Sequence, residues 1–181
     1  EQPLYEVDER RPVLATYIGS AKVERKCTSG GPCAGSTRER CAAGCHNVRP
    51  AVVAQLTAHA NDSAQPSRWI GFGAPGGVGK DAFTAMLRST FCIEPPGDTL
   101  TRKGIYDAIQ CGCIPVVFRR DAAFLEQLAF SSVVPYERMW MHVPEEDVGQ
   151  LVQRLHAVPM HAISARRALL SRWSRSLAFP S

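Results

Sequence analysis

Hydrophobic residues in this chain fall into short continuous runs, separated by segments with helical spacing. The first run, residues 12–18, stops at Gly19 and predicts a buried strand. Runs at residues 69–72, 91–93 and 113–118 predict further strands in the same way. Because these runs are continuous and do not alternate with polar residues, they are typical of a parallel sheet that is covered on both faces.

The most informative stretch predicts a β-loop-α-β unit. The strand at residues 91–93 is followed by a turn rich in proline and glycine, then by a helix over residues 99–111 and the strand at residues 113–118. Either Thr99 or Thr101 is expected to act as the N-cap of that helix.

Helical spacing predicts further helices on both sides of this unit. One starts at Pro50, one covers residues 81–87, and another covers residues 122–130. Short apolar runs at residues 132–134 and 140–143 predict two more strands. The alternation of strands and helices indicates an α/β fold, a Rossmann-like parallel sheet with helices on both faces.

Composition and length agree with one folded domain over residues 1–181. A chain of 181 residues that is 45% hydrophobic and 21% charged excludes collagen-like, low-complexity and fully disordered classes. The formal net charge of +4 is small and not gathered into one run, so we expect no nucleic-acid partner. No run reaches the roughly 20 apolar residues that cross a bilayer, and any membrane anchor is expected outside this chain.

Four of the seven cysteines lie in a glycine-rich loop at residues 26–46: Cys27, Cys33, Cys41 and Cys45. They can be disulfide-bonded, bind zinc or remain free thiols. Disulfides are the favoured interpretation, because a loop with little apolar content gains most from covalent cross-links in an oxidising compartment. The spacing of the first two cysteines does not match the usual zinc-binding pairs, and no metal site is predicted.

Two other features bear on the compartment. Residues 61–63 form an N-glycosylation sequon, which makes Asn61 a candidate acceptor and points to the secretory pathway. Cys92 and Cys113 lie at comparable heights on neighbouring predicted strands. They can therefore form a disulfide or remain two buried thiols.

The loop after the strand at residues 91–93 is the candidate ligand site, because open α/β sheets bind ligands beyond the carboxyl ends of their strands. Arg102 and Lys103 follow near the helix start, where the helix dipole is already positive. A bound phosphate or diphosphate would relieve that repulsion, and Gly104 would let it approach closely. The alternative is that both side chains point into solvent.

Asp107 follows within the same predicted helix. Its carboxylate can accept hydrogen bonds from ribose hydroxyls, as an acidic residue does in dinucleotide-binding folds. It can instead form an ion pair with Lys103, four residues earlier.

A second glycine-rich segment, residues 73–79, has some features of a phosphate-binding P-loop. Gly79 and Lys80 stand at the right positions, but Ala74 replaces the first glycine and Asp81 replaces the hydroxyl residue that binds Mg²⁺. We therefore expect an ordinary turn here, with a P-loop-like NTPase as the weaker alternative.

Residues 88–118 have the sequence RSTFCIEPPGDTLTRKGIYDAIQCGCIPVVF. This block resembles the signature of exostosin-like glycosyltransferases, a family that includes plant xyloglucan, pectin and xylan sugar transferases and the animal heparan sulfate polymerases. In that family the fold is GT-B, in which two Rossmann-like domains face each other across a cleft. The resemblance implies that this chain is the C-terminal half, a nucleotide-sugar-binding domain.

The resemblance also implies roles for individual residues. Asp107 would take the position of a ribose-binding acid, and the residues near the donor diphosphate would be Thr99, Thr101, Arg102 and Lys103. Gly97 is a further candidate for substrate binding. The implied donor is a UDP-sugar, used without a metal or other cofactor, and the implied acceptor is a polysaccharide or glycoprotein glycan in the Golgi lumen. A second GT-B domain or a partner chain would complete the enzyme. The alternative is a non-catalytic nucleotide-sugar-binding or scaffold protein that keeps the fold.

Overall fold

The computed structural model describes residues 10–20, 48–62, 64–71, 78–96 and 101–177. The strands within these ranges are β1 (Val13–Ile18), β2 (Arg68–Ile70), β3 (Ser89–Glu94), β4 (Ile114–Val117) and β5 (Met141–His142). They form one sheet in the order β2-β1-β3-β4-β5, and every neighbouring pair is parallel.

Helices surround this sheet. They are α1 (Val48–Ala58), α2 (Val78–Leu87), α3 (Lys103–Gln110), α4 (Ala122–Glu126), α5 (Tyr136–Met139), α6 (Leu151–His156) and α7 (Met160–Ser174), with a 3₁₀ helix at Glu145–Gln150 before α6. The predicted Rossmann-like α/β fold is confirmed. That the chain is one half of a GT-B pair remains a prediction. None of the described helices is both long and apolar enough to span a membrane.

The central strands explain why the sequence shows continuous apolar runs. All residues of β3 and β4 are buried, and Phe91 of β3 lies opposite Ala15 of β1 and Ile114 of β4. A strand that is covered on both faces has no position for an alternating polar residue. From β1 the strand order runs to β2 on one side and to β3 on the other. A reversal of this kind leaves a crevice at the carboxyl ends of β1 and β3.

A disulfide connects β3 with the residue just before β4. Cys92 and Cys113 are bonded, with their Cα atoms 5.6 Å apart. Of the two states that the sequence left open, the structure therefore shows the cross-link. Cys111, two residues before Cys113, is a buried free thiol. The disulfide closes the β-loop-α-β unit, because it joins β3 to the segment between the end of α3 and β4.

The start of α3 differs from the prediction. The helix begins at Lys103, four residues after Thr99, and its N-cap is Arg102 in an extended conformation without a side-chain capping bond. Thr101 therefore lies before the cap, and Thr99 lies outside the described residues. The extended backbone at Arg102 directs this side chain back towards the carboxyl end of β3, where it contacts Glu94.

Two predictions after β4 are also wrong. Helix α4 ends at Glu126, four residues before the predicted end. Residues 132–134 form no strand, because the N–H groups of Val133 and Val134 both donate to the carbonyl of Phe130 and close a turn. Phe130 has a positive φ of 55°, which reverses the chain at this point. An apolar run of three residues is too short to distinguish a strand from such a turn.

Candidate functional site

A cavity lies at the carboxyl ends of β3 and β4 and is here called the carboxyl-edge cavity. It has about 260 Å³ of empty space, part of which is open to solvent. The described residues that line it are Glu94, Pro95, Pro96, Arg102, Ile105, Val117, Phe118, Arg119 and Phe124. This is the sheet edge at which the sequence predicts a ligand.

The guanidinium of Arg102 is held in place at this cavity. Its Nη1 donates to the carbonyl of Pro95 at 2.9 Å, and its Nε lies 3.0 Å from Oε2 of Glu94. Its positive charge also acts on the buried hydroxyl of Tyr17. The side chain is 24% exposed, so it retains an accessible side. The solvent-pointing alternative is thus wrong for Arg102, which is a fixed cation that is still accessible from the cavity.

Glu94 lines the cavity, and the sequence pattern did not single it out. It ends β3, and its side chain is only 5% exposed. Its Oε2 forms an ion pair with Nε of Arg102, but the two groups are not aligned as a hydrogen bond. This oxygen has no hydrogen-bond partner among the described residues. The pKa of Glu94 is raised to about 7. Burial is the main cause, the charge of Arg102 opposes it, and the charge of Asp107 adds to it. In the sequence, the feature that could have identified Glu94 is a carboxylate directly after an apolar run.

This raised pKa predicts how stability depends on pH. A carboxyl group whose pKa is higher in the folded state stabilises the fold fully below its ordinary pKa of 4.5, and this stabilisation is lost as the pH rises through about 7. We expect the free energy of unfolding to fall by about 2 kcal/mol between pH 5 and pH 7.5 because of this group. Urea titrations of the wild type and Glu94→Gln measure the effect. An equal decrease in both proteins would contradict it.

Gly104 makes room for the Glu94 carboxylate. A Cβ atom at this position in the first turn of α3 would overlap both carboxylate oxygens of Glu94. The glycine was predicted to admit a ligand, whereas in the structure it admits an internal acid. The carboxylate therefore lies beside the N-terminal turn of α3, where the helix dipole favours a negative charge.

Gly104→Ala tests this contact. Forcing the buried carboxylate aside is expected to lower the free energy of unfolding by about 1–3 kcal/mol, the usual cost of overpacking. In a Glu94→Ala background the same change should be neutral or stabilising by up to about 1 kcal/mol, since alanine favours helix more than glycine. Urea denaturation of the four proteins gives the coupling. Equal losses in both backgrounds would contradict the contact.

Two further residues, Tyr17 and Arg49, connect this site to the rest of the sheet. Tyr17 lies near the end of β1, and its buried hydroxyl donates to the carbonyl of Ser20 at 2.9 Å. Burial raises its pKa, while the charges of Arg102 and Arg49 lower it. Arg49 of α1 donates from Nε to the carbonyl of Pro96 at 2.9 Å. Residues from β1, α1 and the loop after β3 thus meet at the point where the strand order reverses.

Lys103 and Asp107 are paired with each other. Nζ of Lys103 lies 2.5 Å from Oδ1 of Asp107, which is the ion pair that the sequence allowed as an alternative to ribose binding. Lys103 is 67% exposed and also lies over the ring of Phe83. Neither residue of the pair is among the described residues that line the carboxyl-edge cavity. The structure therefore does not place these two residues in the described lining of the cavity, and their roles towards a donor remain predictions.

Several predicted residues are placed only in part. Thr101 is half-buried directly before the N-cap of α3, whereas Gly97 and Thr99 lie outside the described residues. Asn61 is exposed in the turn after α1, where its glycosylation remains a prediction.

Two groups of residues predicted from cysteine and glycine patterns also lie mostly outside the described residues. One is the loop at residues 26–46 with Cys27, Cys33, Cys41 and Cys45. The other is the P-loop-like segment, of which only the helical backbone from residue 78 onward is described.

Arg119 gives the cavity a second cation. It follows β4, and its Nε lies 3.1 Å from Oε1 of Glu145 in the 3₁₀ helix. The described lining of the cavity thus contains two guanidinium groups and one carboxylate, Glu94. Each guanidinium contacts one carboxylate, that of Glu94 or Glu145, and a planar guanidinium has further donors that suit phosphate groups.

Comparisons with known proteins agree with this chemistry. The model of the exostosin GT47 domain matches residues 1–158. A probable xyloglucan galactosyltransferase of Arabidopsis thaliana is 41% identical over 86 residues, which are 45% of this chain and 20% of that protein. A probable glucuronosyltransferase of Oryza sativa subsp. japonica is 33% identical over 97 residues, 52% of this chain and 22% of that protein.

A probable beta-1,4-xylosyltransferase of Arabidopsis thaliana is 32% identical over 97 residues, 52% of this chain and 23% of that protein. In each of these three relatives the aligned part is less than a quarter of the whole protein. The family model, in contrast, covers most of this chain. The chain therefore belongs to the exostosin GT47 family.

Proposed function

We propose that this chain is the donor-binding domain of a glycosyltransferase and that its donor is a nucleoside diphosphate sugar, with UDP as the nucleotide. One observation carries the proposal: the guanidinium of Arg102 is fixed at the carboxyl-edge cavity, beside the first turn of α3, and retains an accessible side. A guanidinium next to a helix N-terminus is a favourable site for a diphosphate.

The same arrangement suits the chemistry of glycosyl transfer. When the bond between the sugar and the diphosphate breaks, negative charge develops on the departing phosphate oxygens. Arg102 would stabilise that charge, because its guanidinium is already held at the cavity by the carbonyl of Pro95. In this proposal the guanidinium supplies the positive charge that a metal ion supplies in other transferases.

The shape of the cavity bears on what completes the site. The carboxyl-edge cavity is partly open to solvent, and its described lining does not form an enclosed pocket for a whole nucleotide sugar. The nucleoside and the sugar would therefore contact surfaces beyond the described lining. We propose that these belong to a second domain or a partner chain.

The relatives and the disulfide support our proposals for the acceptor and the compartment. The three relatives are named as transferases of galactose, glucuronic acid and xylose, and the name of the first includes xyloglucan. These names support a polysaccharide or glycan acceptor. The Cys92–Cys113 disulfide supports an oxidising lumen, for which the Golgi is our proposal.

Calorimetry with the 181-residue chain tests the donor proposal. UDP-galactose, UDP-xylose and UDP-glucuronic acid are titrated separately, with uridine as the control that lacks phosphates. We expect at least one UDP-sugar to bind at least about tenfold more tightly than uridine, because charged hydrogen bonds to the diphosphate contribute about 1.5–3 kcal/mol each. Equal affinity for uridine, or no binding of any UDP-sugar, would contradict the proposal.

A further inference from the structure

The position expected for a bound anion already contains an internal one. The carboxylate of Glu94 lies against Gly104 in the first turn of α3 and 3.0 Å from Nε of Arg102. The helix N-terminus and the guanidinium, the two features that attract a diphosphate, are therefore both in contact with this acid. Its side chain is almost fully buried, and it also lines the carboxyl-edge cavity.

The groups around Glu94 leave its charge only partly compensated. Arg102 is a cation that faces it, and the charge of the same guanidinium also acts on the hydroxyl of Tyr17 from β1. Asp107 of α3 repels the carboxylate, and Arg119 after β4 contributes to the same cavity while it pairs with Glu145. Oε2 of Glu94 has no hydrogen-bond partner among the described residues.

A diphosphate at Arg102 would bring at least one further negative charge close to this buried acid. Two anions that share one guanidinium repel each other strongly where water is largely excluded. Uptake of a proton from solvent by the buried carboxylate relieves this repulsion with the least structural change, because the carboxyl group keeps its place beside Arg102 and Gly104. Ejecting the side chain would instead disturb the packing around Gly104.

We propose that Glu94 is a positioning residue. When the donor is absent, its carboxylate is the internal counter-ion that holds Arg102 in place, and when the donor diphosphate binds, this carboxyl group takes up a proton. This inference rests on the proposed donor function. Its consequence is that the affinity for a UDP-sugar increases as the pH falls through neutrality, and that binding near pH 7 removes protons from the buffer.

Titration calorimetry with UDP-galactose between pH 5.5 and pH 8 tests this inference, because the diphosphate of a UDP-sugar does not titrate in that range. For the wild-type chain we expect affinity to fall about tenfold from pH 6 to pH 8, with proton uptake visible as a difference between two buffers of unequal ionisation enthalpy. Glu94→Gln should bind at pH 8 as tightly as the wild type at pH 6, with no proton uptake.

A matched control is Glu145→Gln, which removes the carboxylate that pairs with the other cavity arginine. This variant should keep the pH dependence of the wild type. The same pH dependence in Glu94→Gln as in the wild type would overturn the inference and leave the donor proposal standing. Absence of binding by both proteins at every pH would contradict the donor proposal itself, and the inference with it.

A second measurement covers the case in which Glu94→Gln is poorly folded. Carboxyl-carbon NMR of the wild-type chain follows the titration of Glu94 directly. We expect its midpoint to move to higher pH when UDP-galactose is added at saturating concentration. A Glu94 carboxyl that stays ionised from pH 5.5 to pH 8 with and without the ligand would overturn the inference.

Discussion

Replacing Arg102 by alanine is expected to weaken the binding of a UDP-sugar at least about 100-fold, because the diphosphate loses two or more charge-assisted hydrogen bonds. The measurement is calorimetry at pH 6. At that pH most Glu94 is protonated, since its pKa is raised to about 7, and the variant is spared an unpaired buried carboxylate. Far-ultraviolet circular dichroism verifies that the variant is folded.

The matched control is Arg154→Ala. Arg154 is an exposed arginine that pairs with Asp147 at 2.6 Å and is not among the described residues that line the carboxyl-edge cavity. This substitution removes the same charge from the chain and should leave the affinity within about twofold, because a screened, exposed pair contributes little. A folded Arg102→Ala variant with wild-type affinity would contradict the proposed position of the diphosphate.

Removing the Cys92–Cys113 disulfide is expected to give the largest loss of stability. The two cysteines are 21 residues apart in sequence, and closing a loop of this length restricts the unfolded chain by about 3 kcal/mol. The double variant Cys92→Ala/Cys113→Ala should show this loss in urea denaturation under non-reducing conditions. Its melting temperature should fall by roughly 6–12 °C for a chain of this size.

Cys111→Ala is the control for this experiment. It removes a buried thiol next to the cross-link and leaves the disulfide intact. Its loss of stability should therefore be clearly smaller than that of the double variant. Equal stabilities of the two proteins would show that the disulfide does not stabilise the fold by restricting the unfolded chain.

The sequence predicts the fold where hydrophobic patterns are long and is wrong where they are short. The β-loop-α-β unit from β3 to β4 is confirmed because its strands are buried on both faces and therefore show as continuous apolar runs. Residues 132–134 have the same local composition but form a turn, since the positive φ at Phe130 and its hydrogen bonds are not visible in a three-residue pattern. Buried Arg11 is likewise invisible, because its partners are carbonyls at distant positions, those of Met86, Ser89 and Cys111.

The candidate site likewise contains residues that local sequence patterns predict and residues that they miss. Arg102 is predicted from its place near a helix start, and the structure does hold it at the cavity. Glu94 and Tyr17 are missed because their role depends on which strands are neighbours, and the order of β1 and β3 cannot be derived from local patterns. Gly104 is singled out correctly as a position of close approach, but the approaching group is an internal carboxylate that only the three-dimensional packing identifies.

A crystal structure of the chain with UDP bound would locate the diphosphate. We expect it to lie at the carboxyl ends of β3 and β4, with phosphate oxygens about 2.7–2.9 Å from the guanidinium of Arg102. The Glu94 carboxyl group should remain beside Gly104. A diphosphate bound away from Arg102, for example at residues 73–79, would contradict the proposed donor site.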